Sequence, residues 1–157
     1  MVQMLRKEVQ VMSEKRHPNI VLLMGVLIDQ AASRFWIVTE LLETDLKSLL
    51  AARRFTHVQR LRMCADVARG LRWLHAPTTV LHLDLKLENI LVDRHDTLKV
   101  ADFGFSAIKT DQKHYLVSPT GSKIGNLLHK APELIASLPF NEKADVYSFG
   151  ILAWEVN

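Results

Sequence analysis

The 157-residue sequence has one cysteine, Cys64, so it can form no internal disulfide bond. Cys64 falls in an apolar helical pattern, which favours a buried small side chain over a nucleophile. The longest apolar runs, such as residues 20–28, are about nine residues long, whereas a helix that spans a bilayer needs about 20. Charged residues 6–8 interrupt the opening stretch, so it shows no signal-peptide pattern. We therefore expect a cytoplasmic protein without a membrane segment.

The sequence also lacks a large charge of either sign. Its formal net charge is +3 and its basic pairs lie in separate segments, which argues against a nucleic-acid partner. None of the six glycines occurs in a GxG pattern, so these residues contain no glycine-rich phosphate loop of that kind. Hydrophobic residues make up 48% and charged residues 24%, which at this length indicates one soluble globular domain.

The densest cluster of chemically useful side chains lies in residues 82–104. Asp84, Lys86 and Asn89 occur close together, and two short apolar strands joined by a turn then lead to Asp102. A hairpin would bring these two carboxylates, the amide and the ammonium group to one edge. Such a set can hold divalent metal ions and a polyphosphate beside a proton acceptor. Taken singly, each residue has a structural explanation, such as a turn or a strand-end cap.

Periodicity and turn signals predict an α+β chain without internal repeats. The predicted elements are a helix over 1–16, strands over 20–28 and 35–39 that pair antiparallel and pack on it, helices over 45–52 and from Thr56 to His75, a strand at 80–81, an aperiodic polar segment over 106–130, and a helix from Val146. The lack of alternation in 20–28 predicts burial on both faces. Thr56 and Gln59 form a capping-box pattern. The helix they open is predicted to face the core with Leu61, Cys64, Ala65, Ala68, Leu71, Trp73 and Leu74.

Six motifs follow one another along the chain: Glu8 in the first helix, HPNIV, HLDLKLEN, DFG, APE and DVYSFG. With this order and spacing, the chain resembles the catalytic domain of eukaryotic protein kinases. The resemblance implies an incomplete protein-kinase-like α+β fold. Its parts would be an N-lobe remnant over 1–39, a hinge over 40–45 and a C-lobe portion over 46–157. The remnant would be a helix with a two-stranded antiparallel sheet, and the mainly helical C-lobe would end within its central helix.

The resemblance implies phosphoryl transfer that uses ATP and Mg²⁺. It implies that Asp84 orients the acceptor hydroxyl and takes its proton, and that Lys86 contacts the transferring phosphate. Asn89 and Asp102 are the implied metal ligands. The implied nucleotide-binding positions are Glu8, Thr39, Glu40, Leu42, Asp45, Lys86, Glu88, Asn89, Leu91 and Asp102.

Some positions carry a more specific expectation from the same resemblance. Glu8 would pair with a lysine on a preceding strand, and Thr39 would lie at the back of the adenine pocket. Backbone groups of residues 40–42 would bind the adenine edge, and Asp45 would reach the ribose. Asp145 would tether the backbone of the catalytic loop. The implied apolar column between the lobes contains Met12, Leu23, His82 and Phe103.

The position of Lys86, two residues after the loop aspartate, resembles serine/threonine kinases. The stretches HPNIV…LMGV and DVYSFGILAWE resemble tyrosine kinases. Together with Lys86, these stretches indicate the tyrosine-kinase-like branch of serine/threonine kinases. A protein substrate is the implied partner.

The sequence departs from the family pattern in several places. It has no glycine-rich loop, no strand before Glu8 to supply its lysine partner, and no helices after Asn157 to complete the C-lobe. We therefore expect a partial domain that is poorly active in isolation. Leu83 replaces the arginine of HRD, and Asn126 stands where a threonine is common. Because that arginine pairs with a phosphorylated segment, we expect activity not to depend on phosphorylation of Thr110, Tyr115, Ser118, Thr120 or Ser122.

Two other functions compete with this interpretation. A pseudokinase or truncated scaffold could regulate another kinase, but the intact catalytic and metal-binding positions argue against it. A small-molecule phosphotransferase is disfavoured because APE and DVYSFG belong to protein-acceptor kinases. A glycine-rich loop and a strand lysine upstream of Met1 would favour the enzyme, whereas a genuine start at Met1 would favour the scaffold.

Overall fold

The computed structural model describes residues 9, 16–29, 34–76, 80–104, 106–108 and 127–157. The strands are β1 (Leu23–Asp29), β2 (Arg34–Thr39), β3 (Thr44–Asp45), β4 (Val80–Leu81), β5 (Ile90–Val92), β6 (Leu98–Val100) and β7 (Ala107–Ile108). The helices are α1 (Leu46–Ala52), α2 (His57–His75), α3 (Pro132–Ile135) and α4 (Lys143–Val156), and a 3₁₀ turn covers Leu87–Asn89. The strands form three antiparallel sheets, β1–β2, β3–β5–β6 and β4–β7. The predicted α+β class is confirmed.

Most buried apolar side chains form one core around α2, α4 and the β5–β6 hairpin. Ile90, Leu98 and Val100 of the hairpin are completely enclosed. A second cluster forms beside β4, and its buried members are Leu81, Ala131, Phe140 and Ala144. Leu83 and Leu134 pack against its edge. The hairpin that carries the candidate site is thus built into the core.

Helix α2 begins as the sequence predicts, but it buries a different stripe. The Thr56 hydroxyl accepts the Gln59 N–H, and the Gln59 side chain accepts the Thr56 N–H, which completes the capping box. The prediction that Leu61 and Ala68 face the core is wrong, since both are exposed. The helix instead packs on β6 and α4 with Met63, Val67, Gly70, Leu71 and Leu74. Cys64 is partly buried, and burial raises the pKa of its thiol, which disfavours the nucleophilic thiolate.

The first strand is shorter and more exposed than predicted. Ile20 and Val21 are buried, but β1 begins only at Leu23, and Ile28 is 72% exposed. The Val21 N–H donates to the Val100 carbonyl at 3.0 Å, which places this end of the segment against the core. Farther along, β1 pairs with β2 and leaves the core. The prediction of burial on both faces is therefore wrong for β1.

Asn19 connects the chain before β1 to the buried hairpin. Its side-chain Nδ2 donates to the Leu98 carbonyl at 2.9 Å, and its own carbonyl accepts the Val100 N–H at 2.9 Å. Helix α2 passes close to this contact at Gly70. A Cβ atom at Gly70 would lie 2.6 Å from the Asn19 carbonyl oxygen, so a glycine is required there for close packing.

The other predicted elements agree with the structure at their centres and differ at their ends. The strands predicted over 35–39 and 80–81 are present, and the former begins one residue earlier. The predicted helix over 45–52 begins at Leu46 because Asp45 is its N-cap, and the predicted last helix begins at Lys143 rather than Val146. A short strand, β7, interrupts the segment predicted to be aperiodic.

Part of the predicted organisation lies outside the described residues. In the predicted first helix, Val9 is helical and Arg16 is not. Residues 1–8 and 10–15, including Glu8 and Met12, cannot be compared, and neither can the packing of β1 and β2 on this helix. The same holds for residues 109–126, which contain the candidate phosphorylation sites and Asn126. Within the described ranges, no helix has the length and apolar character needed to cross a membrane.

Candidate active site

A buried carboxylate, that of Asp145 on α4, holds the backbone at the start of the loop. Its Oδ2 accepts the His82 N–H at 2.8 Å, and its Oδ1 accepts the Leu83 N–H at 2.9 Å. His75 Nε2, at the end of α2, lies 2.8 Å from the same Oδ2. Burial alone would raise the pKa of Asp145, but the hydrogen bonds from His75 and the two N–H groups hold it below its ordinary value. The tether predicted for Asp145 is confirmed.

The three predicted loop residues converge on one carboxylate oxygen. Lys86 Nζ lies 2.7 Å from Asp84 Oδ2, and Asn89 Nδ2 donates to the same oxygen at 3.0 Å. Asn89 Nδ2 also lies 2.8 Å from the Asp84 carbonyl oxygen. The 3₁₀ turn makes this possible, because in it the Asn89 N–H donates a hydrogen bond to the Lys86 carbonyl, which brings the two residues close together. The Leu87 side chain between them is buried. An amide, an ammonium group and a carboxylate are thereby held together immediately before β5.

The chain after β6 turns around a buried aromatic contact. The rings of His82 and Phe103 meet edge to face with centroids 5.5 Å apart, and His82 Nε2 lies 2.8 Å from the Ala101 carbonyl oxygen. The backbone at Asp102 has a φ of 62°, and its exposed carboxylate accepts the Gly104 N–H at 3.3 Å. The predicted packing roles of His82 and Phe103 are confirmed.

A cavity of about 260 Å³ lies between β1–β2 and the β5–β6 hairpin. It is lined by Val21, Ile37, Thr39, Glu88, Asn89, Leu91, Ala101 and Asp102. Five of these residues were among the predicted nucleotide-binding positions. The lining therefore combines apolar side chains from both hairpins with the polar side chains of Thr39, Glu88, Asn89 and Asp102.

Four of the predicted positions lie outside the cavity lining: Glu40, Leu42, Asp45 and Lys86. The Glu40 side chain is directed elsewhere, since its Oε1 accepts the Leu22 N–H at 2.8 Å and Lys99 Nζ lies 2.9 Å away. The Asp45 carboxylate caps α1 by accepting the Ser48 hydroxyl at 2.7 Å and the Ser48 N–H at 2.9 Å. These bonds lower the pKa of Asp45.

Glu88 at the rim of the cavity forms an ion pair with Lys47 of α1. The Lys47 ammonium lies 2.7 Å from Glu88 Oε1, and both side chains are substantially exposed. The lysine lowers the pKa of Glu88 through this hydrogen bond. An exposed pair of this kind contributes little to stability, so it acts mainly as a polar edge to the cavity.

Residues 1–157, the whole chain, match the family model for protein tyrosine and serine/threonine kinases. The chain belongs to this family. Among similar curated proteins, the dual specificity protein kinase shkD of Dictyostelium discoideum is 43% identical over 155 residues, which are 96% of this chain and 20% of that protein. The dual specificity protein kinase shkA of the same organism is 44% identical over 154 residues, 96% of this chain and 29% of that protein. The serine/threonine-protein kinase CTR1 of Arabidopsis thaliana is 41% identical over 156 residues, 96% of this chain and 18% of that protein.

The chain spans less than a third of the length of the curated kinases that it matches, between 9% and 30% among the similar proteins compared. Protein kinases of this family generally use ATP and Mg²⁺. The described part of the chain has no group of three or more His, Cys, Asp or Glu side chains arranged to hold a metal ion. Asn89 and Asp102 nevertheless fit Mg²⁺, because that ion takes few protein oxygens and completes its shell with phosphate and water.

Several residues of this candidate site were not found by sequence reasoning. Val21, Ile37 and Ala101 line the cavity, but their apolar side chains read only as core. His75 was likewise read only as the end of a helix, although a basic group in a last helical turn can pair with a carboxylate. Its partner, Asp145, is 70 residues away in sequence.

Proposed function

We propose that the protein containing this chain transfers the γ-phosphoryl group of ATP to serine or threonine hydroxyls of protein acceptors. The observation that carries the proposal is the convergence of Lys86 and Asn89 on Asp84, at 2.7 and 3.0 Å, next to a cavity that Asp102 lines. Relatives named as protein kinases support it.

Asp84 is the proposed proton acceptor. Within the described residues, its side-chain contacts with Lys86 and Asn89 both involve Oδ2, so Oδ1 is the oxygen proposed to face an acceptor hydroxyl. The two contacts fix the rotation of the carboxylate, which is needed because a base must lie within hydrogen-bonding distance of the proton it takes. The N–H groups of His82 and Leu83, the two residues before Asp84, donate to the Asp145 carboxylate and are held in place by it.

Lys86 is proposed to stabilise negative charge on the transferring group. Its ammonium group is a compact charge on a flexible stem, so it can remain near Asp84 and still contact a phosphate oxygen. Its side chain is 23% exposed, which leaves room for that movement.

Bound Mg²⁺ and ATP supply the transferable phosphoryl group and the neutralising positive charge. Asn89 directs its Nδ2 towards Asp84, so its Oδ1 is the atom proposed to ligate the cation, together with the Asp102 carboxylate. The remaining nucleotide contacts are proposed for Glu8, Thr39, Glu40, Leu42, Asp45, Glu88 and Leu91. The division into residues 1–39, 40–45 and 46–157 and the cytoplasmic location remain predictions.

The proposed acceptor class rests on Lys86, because a lysine two residues after the loop aspartate resembles the loop of serine/threonine kinases. The names of shkD and shkA carry the words dual specificity, which favours a second possibility, transfer to tyrosine as well. Phosphoamino-acid analysis of the products decides between them. Phosphoserine and phosphothreonine alone support the first assignment, whereas phosphotyrosine in the same acceptors supports the second.

The test is phosphorylation of a serine- and threonine-containing protein acceptor by the protein made from its complete coding sequence, with Mg²⁺ and ATP. Asp84→Asn keeps the size of the side chain and removes the base, so kcat is expected to fall about 10²- to 10⁴-fold. Asp102→Asn is expected to weaken the Mg²⁺ dependence of nucleotide binding, measured by thermal shift.

Asp96→Asn is the matched control, because Asp96 lies in the exposed turn between β5 and β6 and pairs with Arg53. It is expected to leave kcat within about twofold of the unsubstituted protein. Protein phosphorylation that survives Asp84→Asn unchanged would contradict the proposed base. A folded protein with no phosphoryl transfer and no Mg²⁺–ATP binding would instead favour the scaffold.

Leu83 bears on the regulation of this site. Its side chain packs against the cluster that contains Leu81 and Ala131, so an apolar contact joins the loop to the segment before α3. We propose that this contact replaces a charge pair with a phosphorylated residue. Activity should therefore persist when Thr110, Tyr115, Ser118, Thr120 and Ser122 are replaced together by alanine. Loss of activity on this replacement, with nucleotide binding retained, would contradict the proposal.

A further inference from the structure

A buried histidine outside the catalytic cluster, His129, joins the segment before α3 to helix α4. His129 is 5% exposed, and its Nε2 lies 2.8 Å from Oε2 of Glu155 in the last turn of α4. The two residues are 26 positions apart in sequence. A charge-assisted hydrogen bond in such a place links two separate elements rather than stabilising one helix.

Two further contacts fix the backbone around His129. The Ser148 hydroxyl lies 2.7 Å from the His129 carbonyl oxygen, to which it donates. Two residues farther along, Ala131 is completely buried in the cluster with Leu81 and Phe140. The main chain is therefore anchored to α4 and β4, and the direction of the imidazole ring depends on its own polar contact.

The second ring nitrogen, Nδ1 of His129, is enclosed and has no hydrogen-bond partner among the residues that the structure describes. Buried polar atoms are normally paired, so a histidine with one unpaired nitrogen is a poor choice for stability alone. Nε2 makes the described polar contact of the ring, so the Glu155 carboxylate is the polar group that orients the imidazole. A ring with one paired and one unpaired nitrogen suits a residue that positions its segment better than one that only fills the core.

We propose that His129, held by Glu155, is a positioning residue for the protein-acceptor site. The inference rests on the proposed function. His129 leads directly into Ala131, and Ala131 shares an apolar cluster with Leu83, the neighbour of the proposed base Asp84. A shift of the His129 segment would therefore be transmitted through this cluster to Leu83 and to the backbone next to Asp84, where the acceptor hydroxyl is proposed to bind. Neither His129 nor Glu155 lines the nucleotide cavity, so nucleotide binding should not respond.

The test measures KM for the acceptor and KM for ATP separately, in protein made from the complete coding sequence. The acceptor is the peptide that the unsubstituted protein phosphorylates fastest in a serine/threonine peptide library. His129→Leu removes the donor, and the acceptor KM is expected to rise about tenfold while the ATP KM stays within about twofold. His129→Gln keeps an N–H donor at similar reach and is expected to restore the acceptor KM to within about threefold of the unsubstituted value.

Glu155→Leu removes the other partner and should reproduce the effect of His129→Leu. The double variant should be no worse than either single variant, because both remove the same contact. His57→Leu, at an exposed histidine on α2, is the matched control and should change neither KM.

An unchanged acceptor KM in His129→Leu, equal rises in both KM values, or fully additive effects in the double variant would each overturn the proposal. If His129→Leu does not fold, Glu155→Leu at the partly exposed partner decides the matter by the same two KM values. Failure of the unsubstituted protein to phosphorylate any acceptor would overturn the proposed function instead. The two failures are therefore distinguishable.

Discussion

Two antiparallel hairpins in this chain have similar apolar sequences and opposite environments. In β1–β2, Leu27 and Ile28 are 60% and 72% exposed, whereas Ile90 and Leu98 in β5–β6 are completely buried. The β5–β6 hairpin lies against α2 and receives hydrogen bonds from Asn19 and Val21. The β1–β2 hairpin packs against the core through the partly buried side chains of Leu23 and Ile37. Position relative to the helices, rather than apolar content, therefore determines burial here.

The same difference separates the functional roles of the two hairpins. The buried hairpin positions Asn89 before β5 and Asp102 after β6, on a backbone fixed by the core. The exposed hairpin contributes Ile37 and Thr39 to one wall of the cavity. Polar side chains held at the ends of buried strands can be placed accurately, as the proposed proton and phosphoryl transfer would require.

The largest expected effect comes from opening the buried hairpin with Leu98→Ala. Removal of a fully enclosed leucine side chain leaves a cavity, so the free energy of unfolding should fall by about 3–4 kcal/mol. Leu61→Ala provides the matched control, because Leu61 on α2 is 51% exposed and should cost less than about 1 kcal/mol. Equilibrium unfolding in urea measures both values. Equal losses in the two variants would show that the hairpin is not the core described above.

The next effect concerns Asp145, whose carboxylate joins helices α2 and α4 to the backbone of the loop at His82 and Leu83. Asp145→Asn replaces an acceptor of the His82 and His75 hydrogen bonds by an amide, so stability at pH 7 should fall by about 3 kcal/mol. The folded-state pKa of Asp145 lies below its ordinary value of 3.8. Its stabilising effect is therefore present above that value and is lost as the pH falls through the lower folded-state pKa.

Urea unfolding at pH 7 and in a series below pH 4 measures this contribution. The stability difference between Asp145→Asn and the unsubstituted protein should shrink as the pH falls through that range. A difference that stays constant to the lowest pH at which the protein folds would contradict the assignment of Asp145 as the titrating group.

A smaller effect is expected where α2 approaches Asn19. Gly70→Ala places a methyl group 2.6 Å from the Asn19 carbonyl oxygen and 3.0 Å from a Val100 methyl carbon, which should destabilise the fold by about 2 kcal/mol. Gly150→Ala in α4 meets nothing within 4 Å and should stabilise the protein by up to about 1 kcal/mol through helix propensity. Thermal unfolding distinguishes the two by the sign of the shift in Tm. A stabilising Gly70→Ala would show that the close contact is absent.

The smallest effect is expected in the exposed hairpin. Ile28→Thr retains a β-branched side chain on a strand and removes exposed apolar surface, so the free energy of unfolding should change by less than about 0.5 kcal/mol. Binding of a hydrophobic dye to the folded protein should decrease. A loss of stability comparable to that of Leu98→Ala would mean that Ile28 is covered.

Local signals in the sequence predicted much of this structure. Thr56 and Gln59 specify the start of α2 because both groups of the cap lie within one turn. Asp84, Lys86 and Asn89 could be placed together because the first and the last are only five positions apart. Asp102 was predicted to lie beside them because a hairpin of two short strands brings its two ends to one edge.

Features that depend on distant contacts were predicted poorly or not at all. Leu61 has the same local spacing as a core residue, and its exposure is determined by where β6 and α4 lie. The exposure of Ile28 depends in the same way on what surrounds β1. The pairs Lys47–Glu88 and His129–Glu155 join residues 41 and 26 positions apart, and no local pattern indicates such partners.

The bond from Asn19 to Leu98 also has a consequence for the order of folding. It joins residues 79 positions apart, so closing that loop costs about 2 kcal/mol more in chain entropy than forming β5–β6, whose strands are joined by a short turn. We expect the β5–β6 hairpin and α2 to assemble first and the segment from Asn19 to Val21 to dock afterwards. Until it docks, Val100 N–H lacks the carbonyl it bonds in the native state. Val21 lines the cavity beside Asn89 and Asp102, so one wall of that cavity would be completed only in the last stage of folding.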